Sequence, residues 1–261
     1  MIKLYALFDS FRKLAAGKEI TFSCGEPYND VTCNDSKFRV EFYKAMIKTY
    51  GYDKFPQIVN PTQYRNAGEL ELYHGFRAYS HGYDYLSKED IFDHGWIPSG
   101  FYVTAHKTYA YYYTAGYRDE FPDSMKRVLR VKLATNKICH FNDIKNMRKL
   151  FVQGRFTEMP AEKLPQMLKL KCFVEKIDNP KERETFTNLL LENFSNLAIF
   201  LGYDAMYGGF AGYDEEDESS PEEIEVLNRG IAVVKDSQYI YFKNRAKLEA
   251  EQGTVVADEY E

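Results

Sequence analysis

The sequence predicts an α+β protein. Short stretches of alternating apolar and polar residues are interleaved with irregular helical stretches, and apolar stripes at helical spacing stand on both sides of them. With 261 residues, 44% of them hydrophobic and 28% charged, the chain has ordinary globular composition. It is long enough for one large domain, or for a domain with an appendage.

The first eighteen residues, MIKLYALFDSFRKLAAGK, read as an amphipathic helix. Asp9 and Arg12 break their apolar stretch, and the long apolar region and small-residue cleavage site of a secretory signal are missing. Phe38, Val40, Phe42, Ala45, Met46 and Tyr50 form a second helical stripe, which Gly51, Pro56, Asn60 and Pro61 interrupt. Residues 1–68 are therefore expected to be an N-terminal helical portion.

From Glu69 the texture changes. Leu70, Leu72, His74 and Phe76 alternate with Glu69, Glu71, Tyr73 and Gly75, which predicts a strand. Trp96–Gly100 reads as a turn before a short strand at Phe101–Thr104 and a helix over Lys107–Ala115. Arg127–Ala134 alternates again and predicts a strand. Residues 142–200 are mostly helical, with Asn188–Phe200 the best single helix and Gly202-Tyr203-Asp204 its end. Gly208–Glu223 reads as a loop carrying the acidic run Asp214–Glu218. Strands follow at Ile224–Leu227 and Ile231–Val234, around Asn228-Arg229-Gly230, with another at Gln238–Lys243. The expected division is residues 1–68, a main domain over 69–245, and a polar acidic tail over 246–261.

Charge and cysteines narrow the function classes. The net charge is −5 and the pI about 5.7, so no general excess of positive charge exists to grip phosphates or a membrane surface. A nucleic-acid partner would need a local patch, for which Lys126–Lys132 and Lys145–Lys149 are the available segments. Cys24, Cys33, Cys139 and Cys172 lack zinc-site spacing and form no disulfide framework, which fits a reduced, cytoplasmic setting. His81, His94, His106 and His140 show no ligand spacing, so no metal is assigned. The 22 tyrosines read first as half-buried side chains, with the ring inside and the hydroxyl in water.

Three stations carry the functional signal. His74-Gly75 sits inside a strand, where glycine weakens pairing unless a ligand or another backbone comes close; alone, His74 reads as structural. Gly100-Phe101-Tyr102-Val103-Thr104 runs into Ala110-Tyr111-Tyr112-Tyr113, which alone reads as core. Glu223 and Glu225 share one face of a strand, and such a pair is usually a solvated edge.

Taken in order, these stations resemble the ADP-ribosyltransferase superfamily. The likeness is to its His–Tyr–Glu branch, shared by poly-ADP-ribose polymerases and diphtheria-like toxins. The likeness covers residues 69–245 and rests on His74-Gly75, Gly100-Phe101-Tyr102, Tyr113, Leu201–Ala205 as the lead-in to the final strands, and Glu223 through Asn228. It implies a split antiparallel β-sheet core with flanking helices and an N-terminal helical portion. It also implies cleavage of NAD and transfer of ADP-ribose. The catalytic set it implies is Glu223, Glu225, His74 and Tyr102. The NAD contacts it implies are His74, Gly75, Phe76, Arg77, Tyr102, Thr104, Ala110 and Tyr113. In that scheme His74 bonds a ribose hydroxyl, Gly75 lets backbone approach the nicotinamide amide, and Tyr102 and Tyr113 sandwich its ring. Arg77, on the strand face opposite His74, either binds the pyrophosphate or forms a surface ion pair.

This sequence departs from the pattern in two places. Phe76 follows His-Gly where many relatives carry Ser or Thr. Glu223-x-Glu225-Val226-Leu227 also fits the superfamily's other main branch, which has Arg in place of the histidine. Glu223 is preferred as the catalytic acid for its five-residue step to Asn228, with Glu225 second. No Rossmann or Walker glycine loop occurs, as expected of a family that binds NAD without either.

The acceptor is expected to be a macromolecule, either protein or nucleic acid. The acidic loop at 207–222 favours a cationic acceptor such as an arginine side chain, or serves only as a solvated loop. A phage or bacterial effector, toxin or defence protein, with a neutralising antitoxin as partner and no membrane association, is the biological setting that the resemblance implies.

Overall fold

The computed structural model describes residues 1–20, 22–25, 30–33, 36–68, 70–77, 101–115, 126–208 and 223–235. In chain order the elements are α1 (Ile2–Ala15), β1 (Phe22–Gly25), β2 (Asp30–Cys33), α2 (Ser36–Tyr50), β3 (Gln57–Val59), α3 (Pro61–Arg65), β4 (Leu72–Arg77), β5 (Phe101–Thr104), α4 (Lys107–Ala115), β6 (Lys126–Leu133), β7 (Ile138–His140), α5 (Phe141–Val152), α6 (Leu164–Val174), α7 (Pro180–Leu191), α8 (Phe194–Phe200), β8 (Ala205–Tyr207), β9 (Glu223–Val226) and β10 (Ala232–Lys235). Helices and strands are mixed along the chain, and parallel and antiparallel pairings both occur. Among the described residues no helix is long and apolar enough to cross a membrane.

The chain forms two compact units, each made of two stretches. Met1–Asp53 joins Lys137–Gly209, and Lys54–Asn136 joins Phe210–Glu261. The expected contiguous division at residue 69 differs from this. The reason is apolar matching: the stripes of the first two helices are covered by the helices after residue 140, far along the sequence.

The first unit is held by aromatic packing. Leu4, Leu7, Phe8 and Phe11 recur at helical spacing on α1 and are all buried. Phe186 of α7 meets Phe8, Phe11, Phe42 and Phe173, with ring centroids 5.2, 5.6, 6.1 and 5.8 Å away. Such tilted and edge-on contacts add to the apolar area already removed from water. Residues 1–68 are not wholly helical, because β1 and β2 pair antiparallel from Phe22↔Cys33 to Gly25↔Asp30. These strands are too short to show an alternation that would separate them from a loop.

The helix expected over Asn188–Phe200 is two helices. Asn193 sits at φ −95°, ψ 103°, and its side chain accepts the Asn196 N–H, capping α8. An asparagine side chain that satisfies a first-turn amide favours a new helix start over continuation. Gly202, at φ 83°, ends α8 as the sequence predicts.

The second unit carries the strands on which the candidate residues lie. Its strands run in the order β3-β10-β6-β4-β5-β9. β3 lies parallel to β10, so the sheet is not wholly antiparallel as expected, while β10–β6, β6–β4, β4–β5 and β5–β9 are antiparallel. β4 and β6 pair from Leu72↔Val131 to Arg77↔Lys126. Among the described residues β4 and β5 pair at Tyr73↔Thr104. One sheet face is apolar: Leu72, Phe76, Phe101, Val103, Leu129, Val131, Val226, Ala232 and Val234 form its core cluster. The expected turn at Trp96–Gly100, the acidic loop, the strand at Gln238–Lys243 and the tail over 246–261 lie outside the described residues.

Phe186→Ala tests the aromatic core of the first unit. It removes a side chain with 0% exposure and is expected to cost about 3–5 kcal/mol, read as a lower urea midpoint. A midpoint within error of wild type would show that this ring cluster does not hold the unit together.

Candidate functional site

The site is built on three neighbouring strands, β4, β5 and β9, and on the helix that follows β5. Strand alternation fixes which side chains share a face. Tyr102 pairs with Glu225 and Thr104 with Glu223, so all four residues stand on one face of the β5–β9 pair. Phe101, Val103, Ile224 and Val226 take the other face, and all but the half-buried Ile224 belong to the apolar core cluster. The register extends across the sheet: Arg130 of β6 lies opposite Tyr73, Tyr73 opposite Thr104, and Thr104 opposite Glu223.

Both glutamates are buried, with Glu223 5% and Glu225 1% exposed. This corrects the solvated-edge reading of the pair. β9 is covered on both faces, so its polar face is as enclosed as its apolar one. Removing a carboxylate from water is costly unless it is paired or protonated. Burial accordingly pushes the Glu223 carboxyl up to about 7, opposed by a hydrogen bond from Tyr109 that favours the anion. Among the described residues Glu223 Oε1 is buried without a hydrogen-bond partner. A buried carboxylate oxygen without a partner is an acceptor able to take a ligand's hydroxyl.

His74 is 9% exposed, and its Nδ1 lies 2.7 Å from the carbonyl oxygen of Tyr102. A carbonyl only accepts, so Nδ1 carries a proton and donates it. The bond ties β4 to β5 beside their pairing at Tyr73↔Thr104. The imidazole lies against Phe101, with centroids 4.4 Å apart, and Phe101 is on the face opposite Tyr102. The structure therefore joins His74 to the backbone of Tyr102 and presents its ring to the Phe101 side.

The other expected contacts are distributed unevenly. Gly75 lies opposite Val128 on β4, on the same strand face as Tyr73. Phe76 belongs to the apolar core cluster, which places it among packing residues. Thr104 is 3% exposed, and its hydroxyl accepts the His106 N–H at 3.2 Å, which turns the chain from β5 into α4. Ala110 is buried on α4. Tyr113 lies in α4 and Arg77 ends β4; their side chains are outside what is described. Among the described residues no group of three or more His, Cys, Asp or Glu is placed to hold a metal ion.

Tyr109 is the residue that sequence reasoning passed over. It occupies the first turn of α4, directly after the Thr104 turn, and its hydrogen bonding opposes the upward shift of the Glu223 carboxyl. The signal was available in the five-residue step from Thr104, within a helix whose many tyrosines hid it.

Compared with protein-family models, with curated proteins and with solved structures, the chain matches none.

The raised Glu223 carboxyl makes stability depend on pH. The folded protein holds this proton more tightly than the unfolded chain does, whose carboxyl titrates near 4.5. That contribution is complete below about pH 4.5 and is lost as pH rises through about 7. Glu223→Gln is therefore expected to leave Tm unchanged at pH 4.5 and to raise it at pH 8, by about 2–4 °C for each kcal/mol of strain relieved. An equal Tm difference at both pH values would show that Glu223 is not held near neutrality by burial.

Proposed function

We propose that the second unit is a glycosyl-transfer site that cleaves the bond between nicotinamide and ribose in NAD. More particularly, we propose that it is a mono-ADP-ribosyltransferase, delivering ADP-ribose to a macromolecular acceptor, protein or nucleic acid. The observation that carries the reading is the meeting of β4, β5 and β9, where His74 bonds the backbone of Tyr102 and Tyr102 stands opposite Glu225 and one residue pair from Glu223. The order of these residues along the chain is that of the His–Tyr–Glu branch described above.

The chemistry asks for few groups. The C1′–N bond breaks, nicotinamide leaves with the bonding pair, and positive charge develops on the ribose. An anion that bonds a ribose hydroxyl stabilises that charge more than it stabilises bound NAD. Glu223 Oε1, buried and without a described partner, is assigned this hydrogen bond, with Glu225 beside it as the second acid. Tyr102 supplies an aromatic face for the cationic ring, an attraction of about 0.5–2 kcal/mol. His74 holds the Tyr102 carbonyl in place, its ring standing on the Phe101 face of the sheet, opposite the face that bears the two acids. The acceptor nucleophile then bonds C1′ and gives up its proton. The toxin or defence setting, and an antitoxin partner, follow from the resemblance alone.

The test is nicotinamide release from NAD, followed by chromatography across pH 5–9. Wild type is expected to accelerate as pH rises through about 7, where Glu223 becomes the anion. Glu223→Gln is expected to lower the rate by about 10²–10³ at pH 8. Full activity in both Glu223→Gln and Glu225→Gln overturns the glutamate assignment. Free ADP-ribose as the sole product makes water the acceptor. NAD-dependent removal of an RNA 2′-phosphate makes the protein a phosphotransferase on this fold. Binding of a partner protein without nicotinamide release makes it an inactive relative.

A further inference from the structure

We infer that the outward face of α5, in the first unit, is a docking surface for duplex DNA. The inference goes beyond the NAD reading and does not depend on it.

The sequence contains two basic segments, and the structure uses them differently. Where it is described, Lys126–Lys132 is turned to internal contacts. Lys132 is 8% exposed and donates to the carbonyls of Arg65 and Gly68, and Arg130 faces Glu71. Lys145–Lys149 lies on α5, which buries Ile144, Met147 and Leu150. Phe141, at the start of the helix, packs edge-on against Phe194 of α8, with centroids 4.8 Å apart. Helical spacing then sends Asn142, Lys145, Asn146, Lys149 and Gln153 outward as one row, and all five are exposed. Val152 flanks the row and is 64% exposed.

The positive charge of this row is uncompensated. A surface helix gains when a lysine stands three or four residues from an acid. The chain makes such pairs elsewhere, Lys44 with Glu41 on α2 and Lys171 with Glu175 on α6. On α5 the residues at those spacings from Lys145 are Phe141, Asn142, Arg148 and Lys149. Those around Lys149 are Lys145, Asn146, Val152 and Gln153. The nearby acids are engaged otherwise. Asp143 stands in the first turn, where the helix N-terminus favours it, Glu192 takes Arg148, and Glu158 takes Arg155. Like charges one turn apart weaken a helix, so setting Lys145 beside Lys149 costs stability rather than adding to it.

The row fits a polyanion that also presents hydrogen-bonding edges. Its two ammonium groups suit phosphate, and its amides both donate and accept, as base edges do. Asn and Gln match adenine in the major groove, Lys matches guanine, and an apolar side chain such as Val152 can lie against a thymine methyl. A helix about 10–12 Å across enters the major groove of B-form DNA, which is about 12 Å wide. The deep, narrow major groove of A-form RNA does not admit it. The unit as a whole is compatible with such a partner. Its sequence has 19 Lys and Arg against 16 Asp and Glu, a net +3. The second unit has 15 against 23, a net −8, and the two together give the chain its −5. Of the two acceptor classes named above, this face favours nucleic acid.

The full chain is titrated into a fluorescein-labelled DNA duplex of about 20 base pairs, and anisotropy is read from about 50 to 200 mM salt. Wild type is expected to bind, with an affinity that falls as salt rises. Lys145→Gln/Lys149→Gln is expected to lower the slope of log affinity against log salt by about two. Asn146→Ala is expected to keep the slope and to weaken binding equally at every salt concentration. Lys44→Gln/Lys48→Gln, the same change of charge on α2, is expected to match wild type. Every substituted side chain is exposed, so thermal midpoints close to wild type are expected and show that the variants are folded. No binding by wild type at the lowest salt overturns the assignment. So does an unchanged slope in the α5 double variant, or an equal loss from the α2 variant. Tighter binding of duplex RNA also overturns it and makes RNA the partner. Nicotinamide release is measured without DNA, so failure of the NAD reading and failure of this one are told apart.

Discussion

Two carboxylates enclosed side by side in the sheet set the terms for the second unit. Glu223 and Glu225 lie on one face of a four-residue strand, each no more than 5% exposed. Enclosing acids is costly to stability, and Glu223 responds by holding its proton up to about pH 7. The rest of the unit is arranged around that placement. β5 aligns the pair through Tyr102 and Thr104, α4 supplies a phenol, and the apolar cluster on the opposite face anchors both strands. An enclosed acid with displaced ionisation is a common mark of a functional site.

The junction between β4 and β5 gives this face its second feature. β4 is bound along its length to β6 but meets β5 at Tyr73↔Thr104 among the described residues, with the His74 bond to the Tyr102 carbonyl alongside. A side chain thus replaces part of a backbone ladder. In the proposed mechanism the histidine has a structural task before any binding task, which is to hold Tyr102 against the strand bearing the acids. Strand alternation places its ring beside Phe101, on the face away from the acids.

Much of this was legible in sequence, for definite reasons. The helix at Lys107–Ala115 and the strand at Phe101–Thr104 fall where predicted, since turn residues and a change of period bound both. The alternation from Leu72 to Phe76 gave the inward face of β4 correctly, His74 included. Leu70 did not join it and is 61% exposed, beyond the point where pairing with β6 begins. What stayed hidden depended on tertiary context. An Asn inside an apolar stripe concealed the break between α7 and α8. The pairing of helices across more than a hundred residues concealed the two discontinuous units. The burial of Glu223 and Glu225 depends on what covers the polar face of β9, and an acidic strand reads as solvated until that cover is seen. Tyr109 stands in a run of aromatic residues that gave no sign of its influence on the Glu223 carboxyl.

The most direct measurement is the yield of free nicotinamide when purified protein is given NAD at pH 8, with the doubly substituted Glu223→Gln/Glu225→Gln protein as its match. The account predicts steady production by wild type and none above background from the substituted protein with its fold intact. Equal yields from the two proteins, or none from wild type in the presence of both protein and nucleic-acid acceptors, would contradict it.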